Sequence, residues 1–329
     1  MSPFVVVERP LAGAHALVGR RSTLVDDPAR PGRLLGVDAW YPAALSVNDV
    51  ATYELLPDVG FSAVARRDAL AAEGSFPLIL FSHGRSGNRL VYSQLCESLA
   101  DRGFVVVAMD HPGDTMADWL LGLAADDATN ERERVLDLTR VLEALDAGLF
   151  SETNANLDDI YVAGHSYGAY AAVASAAVPA LRDRIRGIIG LEPYLRTVTD
   201  DQWTSVRATT LFLGGARDTT TPPSVDIAAA LTRAANVVEA WEFPAIAHQG
   251  CSDVGLYLEV SHGLDDLPTM ITDYLRSMAR DVTGVDGDEW RPAVQLHVDA
   301  IECWIRAARG SDRAAFEDRM NLAAARRLY

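Results

Sequence analysis

Residues 158–172 read Asp-Asp-Ile-Tyr-Val-Ala-Gly-His-Ser-Tyr-Gly-Ala-Tyr-Ala-Ala. A short β-branched run leads into Gly164-His165-Ser166-Tyr167-Gly168, and a small-residue helical pattern follows. A serine at the apex of a strand–turn–helix projects its hydroxyl from strained backbone, so the residues two positions either side must be nearly absent sterically. The helix that follows turns its first N–H groups toward the place where negative charge would develop. The chemistry this implies is nucleophilic attack by Ser166 on an acyl carbonyl.

A serine hydroxyl at neutral pH needs a base, and the base an orienting carboxylate, in the chain order serine, acid, histidine for this kind of turn. Downstream of Ser166 lie His248, His262 and His297. His248 falls in a loop just after a strand-like run and is the expected base; the other two sit in helical patterns of the tail and read as surface or packing residues. Asp218, just past an apolar run and before Thr-Thr-Thr-Pro-Pro, is the leading acid, its alternative role being a turn aspartate. Glu192, closing the preceding apolar run, is the rival. The oxyanion needs two backbone donors, expected from Tyr167 and from Arg85 in Phe81-Ser-His-Gly-Arg-Ser-Gly-Asn. His83 is expected to brace that loop, and with His111, in Asp110-His-Pro-Gly-Asp, to stand at the substrate pocket. The Arg85 guanidinium raises the option of a substrate bearing a carboxylate.

Alternation of β-branched runs with longer helical patterns is the mark of a mostly parallel, doubly wound α/β sheet. Strands are expected near 15–25, 34–41, 77–82, 104–109, 159–163, 185–191, 209–214 and 236–243, with helices near 88–101, 131–147, 167–178 and 223–235. The first two strands, joined by a short turn, should form an antiparallel hairpin at the sheet edge, and residues 43–75 read as irregular. The expected organisation is one domain over 1–329, with N-terminal edge strands over about 1–42 and a helical C-terminal extension over about 256–329.

The 329 residues carry 29 basic and 46 acidic side chains, a net charge of −17, and every one of the basic residues is arginine. This balance argues against nucleic-acid backbone binding and against stable attachment to anionic membranes. The missing lysine fits either genome composition or salt adaptation, and it excludes Ser-Lys and lysine Schiff-base chemistry. Cys96, Cys251 and Cys303 are too few and too widely spaced for a disulfide framework or a zinc ribbon. Histidines lack metal-ligand spacing, and no dinucleotide or phosphate loop occurs, so no cofactor or metal is implied. The N-terminus has no basic stretch ahead of its short apolar run, and a cytoplasmic location is expected.

The runs Ala39-Trp-Tyr-Pro-Ala, Phe81-Ser-His-Gly-Arg-Ser-Gly-Asn-Arg, Ala100-Asp-Arg-Gly-Phe-Val-Val-Val-Ala-Met-Asp-His-Pro-Gly-Asp-Thr and Val162-Ala-Gly-His-Ser-Tyr-Gly-Ala-Tyr resemble the α/β-hydrolase superfamily over about residues 15–310. Within it the chain is similar to dienelactone-hydrolase-like and platelet-activating-factor-acetylhydrolase-like esterases, with cutinase-type polyester hydrolases as cousins. The resemblance implies Ser166 as nucleophile, His248 as base, and Arg85 and Tyr167 as oxyanion donors. The acid maps to Glu192 by the acetylhydrolase branch and to Asp218 by the cutinase branch, where Tyr194 helps clamp the substrate. The expected function is a serine carboxylic-ester hydrolase acting on a small or medium-chain ester or lactone through an acyl-enzyme. The alternatives are an acyltransferase with the same residues and a non-catalytic binding protein of this fold.

Overall fold

The computed structural model describes residues 4–6, 17–44, 48–56, 59–236, 238–263, 269–270, 273, 278, 280–283, 290–311 and 313–328. Its strands are β1 (Phe4–Val6), β2 (Val18–Asp26), β3 (Leu34–Pro42), β4 (Val50–Leu56), β5 (Val59–Arg67), β6 (Phe76–Ser82), β7 (Val105–Met109), β8 (Ala155–His165), β9 (Ile185–Leu191), β10 (Thr209–Gly215), β11 (Val238–Phe243) and β12 (Arg326–Arg327). They form a single sheet in the order β1-β5-β2-β3-β7-β6-β8-β9-β10-β11-β12, with β4 paired to β5. From β7 to β11 every neighbouring pair is parallel.

Side chains in the central strands alternate between two apolar layers. Leu78, Leu80, Val105, Val107, Ile160 and Val162 enter one. Ile79, Phe81, Val106, Ala108, Tyr161 and Ala163 enter the other. Period-two alternation with both faces apolar requires cover on both sides, which explains the continuous hydrophobic runs. The described helices are α1 (Ser93–Asp101), α2 (Met116–Leu120), α3 (Asp127–Asp146), α4 (Tyr167–Ala177), α5 (Pro179–Arg182), α6 (Asp200–Ser205), α7 (Asp226–Arg233), α8 (Val254–Gly263), α9 (Arg280–Thr283), α10 (Arg291–Ala308) and α11 (Arg313–Leu322). Apolar residues of α3 to α7 fill the first layer, and those of α1, α8, α10 and α11 fill the second.

The C-terminal helices are therefore part of the wall of the sheet. Val298, Ile301, Trp304 and Ile305 of α10 are buried, and each such side chain stabilises by roughly 1.5–3 kcal/mol relative to exposure. After α11 the chain returns as β12, antiparallel to β11, so the helical extension ends in a short edge strand.

Two expectations are corrected. The β2–β3 hairpin forms as anticipated, but it is not the edge, because β5 adds parallel to β2 and carries β4 and β1. Residues 43–75 thus contain two strands where none was expected. Tyr53, Phe61 and Ala65 in them are buried against Trp40 and Tyr257; a long-range apolar contact of this kind leaves no local periodic signal. Among the described residues no helix is long and apolar enough to cross a membrane.

Candidate active site

β8 delivers Gly164 and His165, the chain turns at Ser166, and α4 begins at Tyr167. Ser166 has φ 51° and ψ −118°, left-handed strain that L-residues occupy only when their surroundings impose it. A Cβ on Gly164 would lie 2.2 Å from the Gly168 carbonyl carbon, and one on Gly168 would lie 2.0 Å from the Ser82 carbonyl oxygen. Only glycine lets strand, turn and the neighbouring β6 end approach this closely.

The other two members arrive from the next strand ends. After β10, the Ala216 N–H donates to the Phe243 carbonyl (2.9 Å) and the Arg217 N–H to the Ile246 carbonyl (3.0 Å). This pairing holds the loop bearing Asp218 against the loop bearing His248. Asp218 Oδ2 stands 2.9 Å from His248 Nδ1, and His248 Nε2 stands 3.0 Å from Ser166 Oγ. Because a carboxylate only accepts, Nδ1 carries the proton and Nε2 presents its lone pair to the serine hydroxyl. Asp218 Oδ1 meanwhile accepts the Thr220 and Thr221 N–H groups at 2.8 and 2.9 Å. The turn-aspartate role and the orienting role coexist, one on each oxygen. Burial alone would push the Asp218 carboxyl up, but the hydrogen bond and charge of His248 and the Thr221 bonds outweigh it, and the net shift is downward.

Glu192 is placed elsewhere. It too has a left-handed backbone, φ 41°, and is fully buried, but its Oε1 bonds His297 Nε2 at 2.8 Å. His297, expected at the surface or in packing, is fully buried on α10 and also donates from Nδ1 to the Ala293 carbonyl at 2.8 Å. The rival acid thus has its own histidine, contributed by a helix about a hundred positions away, and the Cys251 thiol beside it is held protonated by burial and by the Glu192 charge. His262 lies in α8, and its side chain falls outside the described residues.

His83 and His111 do not line the pocket, contrary to expectation. Both are buried behind it. His83 Nδ1 donates to the Gly84 carbonyl (2.7 Å) while its Nε2 accepts the His111 N–H (3.2 Å). His111 bonds Asp137 (2.9 Å) and Ser82 (2.9 Å). Asp-His-Pro-Gly is therefore a buttress under the loop, which its sequence position at a strand end did not reveal. Tyr194 does line the cavity, edge-on to Tyr167 with ring centroids 5.5 Å apart. The cavity holds about 570 Å³ and is walled by Met116, Trp119, Tyr194, Val254 and Tyr257 around Ser166. Its arginines are already balanced: Arg85 pairs with Asp127 (2.7 Å) over the Tyr167 ring, and Arg196 with Asp226 (2.8 Å).

Sequence reasoning also missed Thr221, whose hydroxyl lies 2.7 Å from Asp218 Oδ2 and 2.8 Å from the Glu192 carbonyl, and Tyr92. The Gly84 N–H donates to the Tyr92 hydroxyl (3.0 Å), which bonds His165 Nδ1 (2.7 Å), and His165 Nε2 donates to the His248 carbonyl (2.6 Å). One chain of bonds thus ties the Gly84 loop, the serine turn and the histidine loop together. A tyrosine eight residues from Gly84 gave no local hint of this.

The buried histidines give a pH prediction. Burial, aided by the charge of Arg134, lowers His111 to about 4. Below about pH 6.5 the unfolded chain takes up a proton that folded His111 refuses, so this residue subtracts stability progressively from pH 6.5 down to about 4. His297 runs oppositely: burial lowers it, but the Glu192 charge raises it to a net upward shift. Its contribution is present below about pH 6.5 and is lost as pH rises through its folded value. Urea titrations are expected to show a shallower loss of stability between pH 6.5 and 4 in His111→Asn than in the parent; equal slopes would contradict the neutral state of His111.

Comparison with known proteins follows the same outline. A family model described as platelet-activating factor acetylhydrolase, isoform II, matches residues 46–147, a stretch that holds the Gly84 loop and ends before Ser166. Chlorophyllase-1, chloroplastic, of Citrus sinensis is 32% identical over 39% of this chain and 35% of its own. A probable 1-alkyl-2-acetylglycerophosphocholine esterase of Arthroderma benhamiae is 32% identical over 30% of this chain and 27% of its own. The chain thus spans about a third of the length of these curated relatives. A solved structure of a ferulic acid esterase from Streptomyces cinnamoneus superposes with a TM-score of 0.72 at 22% identity, over 99% of both chains. That likeness is one of fold, and the fold is that of the α/β-hydrolases.

Proposed function

We propose that this protein is a serine carboxylic-ester hydrolase. His248 Nε2 takes the proton of Ser166 Oγ as the oxygen attacks an ester carbonyl, and Asp218 steadies the imidazolium that forms. The tetrahedral oxyanion is held by the Arg85 and Tyr167 N–H groups. Protonated His248 then gives its proton to the leaving alcohol, and a water molecule, deprotonated in turn by His248, releases the acid from Ser166. The observation that carries this reading is the hydrogen-bonded line Asp218–His248–Ser166 at the floor of an apolar cavity, with the serine at positive φ. The esterase names of the matched relatives support it.

A cavity of about 570 Å³ is in the range that encloses a small ligand. Arg85 and Arg196, the arginines among its described lining residues, are each balanced by an aspartate, which argues against a carboxylate-bearing substrate. The substrate class is a neutral ester or lactone with a small or medium acyl group. A panel of esters varying acyl length and alcohol size, run with Ser166→Ala as control, is expected to give Ser166-dependent hydrolysis greatest for short and medium acyl groups. Preference for long acyl chains at a lipid interface would overturn the substrate class. Formation of acyl-alcohol in preference to free acid would convert the reading to acyl transfer.

A further inference from the structure

Arg134, on α3, is fully buried. Burying a guanidinium costs several kcal/mol unless its charge and its donors are matched. Here all five N–H groups find acceptors. Nε and Nη2 reach Asp114 Oδ2 at 2.9 and 2.8 Å. Nη1 reaches Ser82 Oγ at 3.1 Å and the His83 carbonyl at 2.6 Å, and Nη2 the Gly84 carbonyl at 3.1 Å. The same guanidinium lies 5.1 Å from the centre of the Tyr167 ring. One buried cation therefore bonds the carbonyl of the peptide unit that carries the Arg85 N–H and lies over the ring of Tyr167, the two proposed oxyanion donors.

The direction of these bonds matters. A trans peptide unit sets its C=O and N–H on opposite sides. Arg134 and His83 together hold the Gly84 carbonyl toward α3, so the N–H of the same peptide unit, that of Arg85, points away from α3. Gly84 and Arg85 line the cavity with Ser166, and a Cβ on Gly84 would sit 3.4 Å from the Ser166 Cβ. Among the described residues neither the Arg85 nor the Tyr167 N–H donates a hydrogen bond. A cation on the carbonyl side of a peptide also polarises it, making its N–H a stronger donor.

We infer that Arg134 is a positioning residue for the oxyanion hole: it fixes and polarises the Gly84–Arg85 peptide so that the Arg85 N–H is aimed before substrate arrives. This rests on the ester-hydrolase reading above. Removing one oxyanion donor outright lowers kcat by about 10²–10³-fold, and misaiming one approaches the lower end of that range.

The test compares Arg134→Lys and Arg134→Met with the parent in kcat, KM and affinity for a trifluoromethyl ketone that forms a tetrahedral adduct on Ser166. Lysine keeps the charge that balances buried Asp114, so it guards against loss of folding, yet it lacks the fork that holds both carbonyls. The expected result is a fall in kcat of at least tenfold with KM changed less than threefold, and a loss of ketone affinity that tracks kcat/KM. Added guanidinium at millimolar level should restore part of kcat to Arg134→Met. Folded Arg134→Lys with kcat within threefold of the parent, or with kcat and KM impaired alike and ketone affinity intact, would overturn the inference while leaving the hydrolase reading standing. A parent protein without Ser166-dependent hydrolysis would overturn that reading instead.

Discussion

Ser166→Ala is expected to lower kcat for ester hydrolysis by about 10⁶-fold and to abolish labelling by a fluorophosphonate, with little change in Tm. The size of the effect follows from mechanism: without Oγ no acyl-enzyme forms, and the aligned His248 and Asp218 have no proton to move. Stability should be spared because alanine tolerates φ 51° about as well as serine does and the neighbouring Gly164 and Gly168 keep their room. Mass spectrometry of labelled parent and variant, alongside initial rates on the ester panel, checks both halves. A parent chain left unlabelled by the probe would instead favour a binding protein with a silent serine. Activity surviving in the variant would place the nucleophile elsewhere.

Asp218→Asn carries the second large effect, a fall in kcat of about 10⁴-fold. Asn presents an N–H or a carbonyl to His248 Nδ1, so the histidine no longer favours the tautomer that offers its Nε2 lone pair to Ser166. Glu192→Gln should leave kcat within about tenfold, because its oxygen meets His297 and not His248. Its effect falls on stability: breaking one half of a buried charged pair costs about 3–5 kcal/mol. The two variants thus separate along different axes, rate for Asp218 and Tm for Glu192. A larger rate loss in Glu192→Gln than in Asp218→Asn would reverse the assignment of the acid.

That choice illustrates where sequence stopped. Glu192 closes one apolar run and Asp218 lies just past the next, and both follow Ser166 and precede His248. What separates them is the partner each meets. The β10 loop is zipped to the β11 loop by the bonds of Ala216 and Arg217, which carries Asp218 to His248. Glu192 is met from the other side by α10, whose histidine sits at a spacing no local pattern encodes. His83 and His111 failed for a related reason. A histidine beside a glycine loop at a strand end looks like a pocket residue, and only the folded contacts show the imidazoles engaged below the loop, that of His83 by the Gly84 carbonyl and the His111 N–H and that of His111 by Asp137 on α3.

Local residue patterns encode the alternation of strands and helices, the glycine-flanked serine turn and the histidine placed after the last long strand. Each is a local consequence: two-residue and 3.6-residue periodicity report which face is buried, and a turn too tight for a Cβ can be made only by glycine. The 329 residues also carry the acidic, lysine-free charge balance that excludes a lysine base. Long-range packing sets which carboxylate meets His248, the extra strands beyond the hairpin, and the buried arginine behind the glycine loop. These depend on contacts between segments far apart in the chain, whose energy comes from burial and matched donors and so leaves no periodic trace in either segment alone.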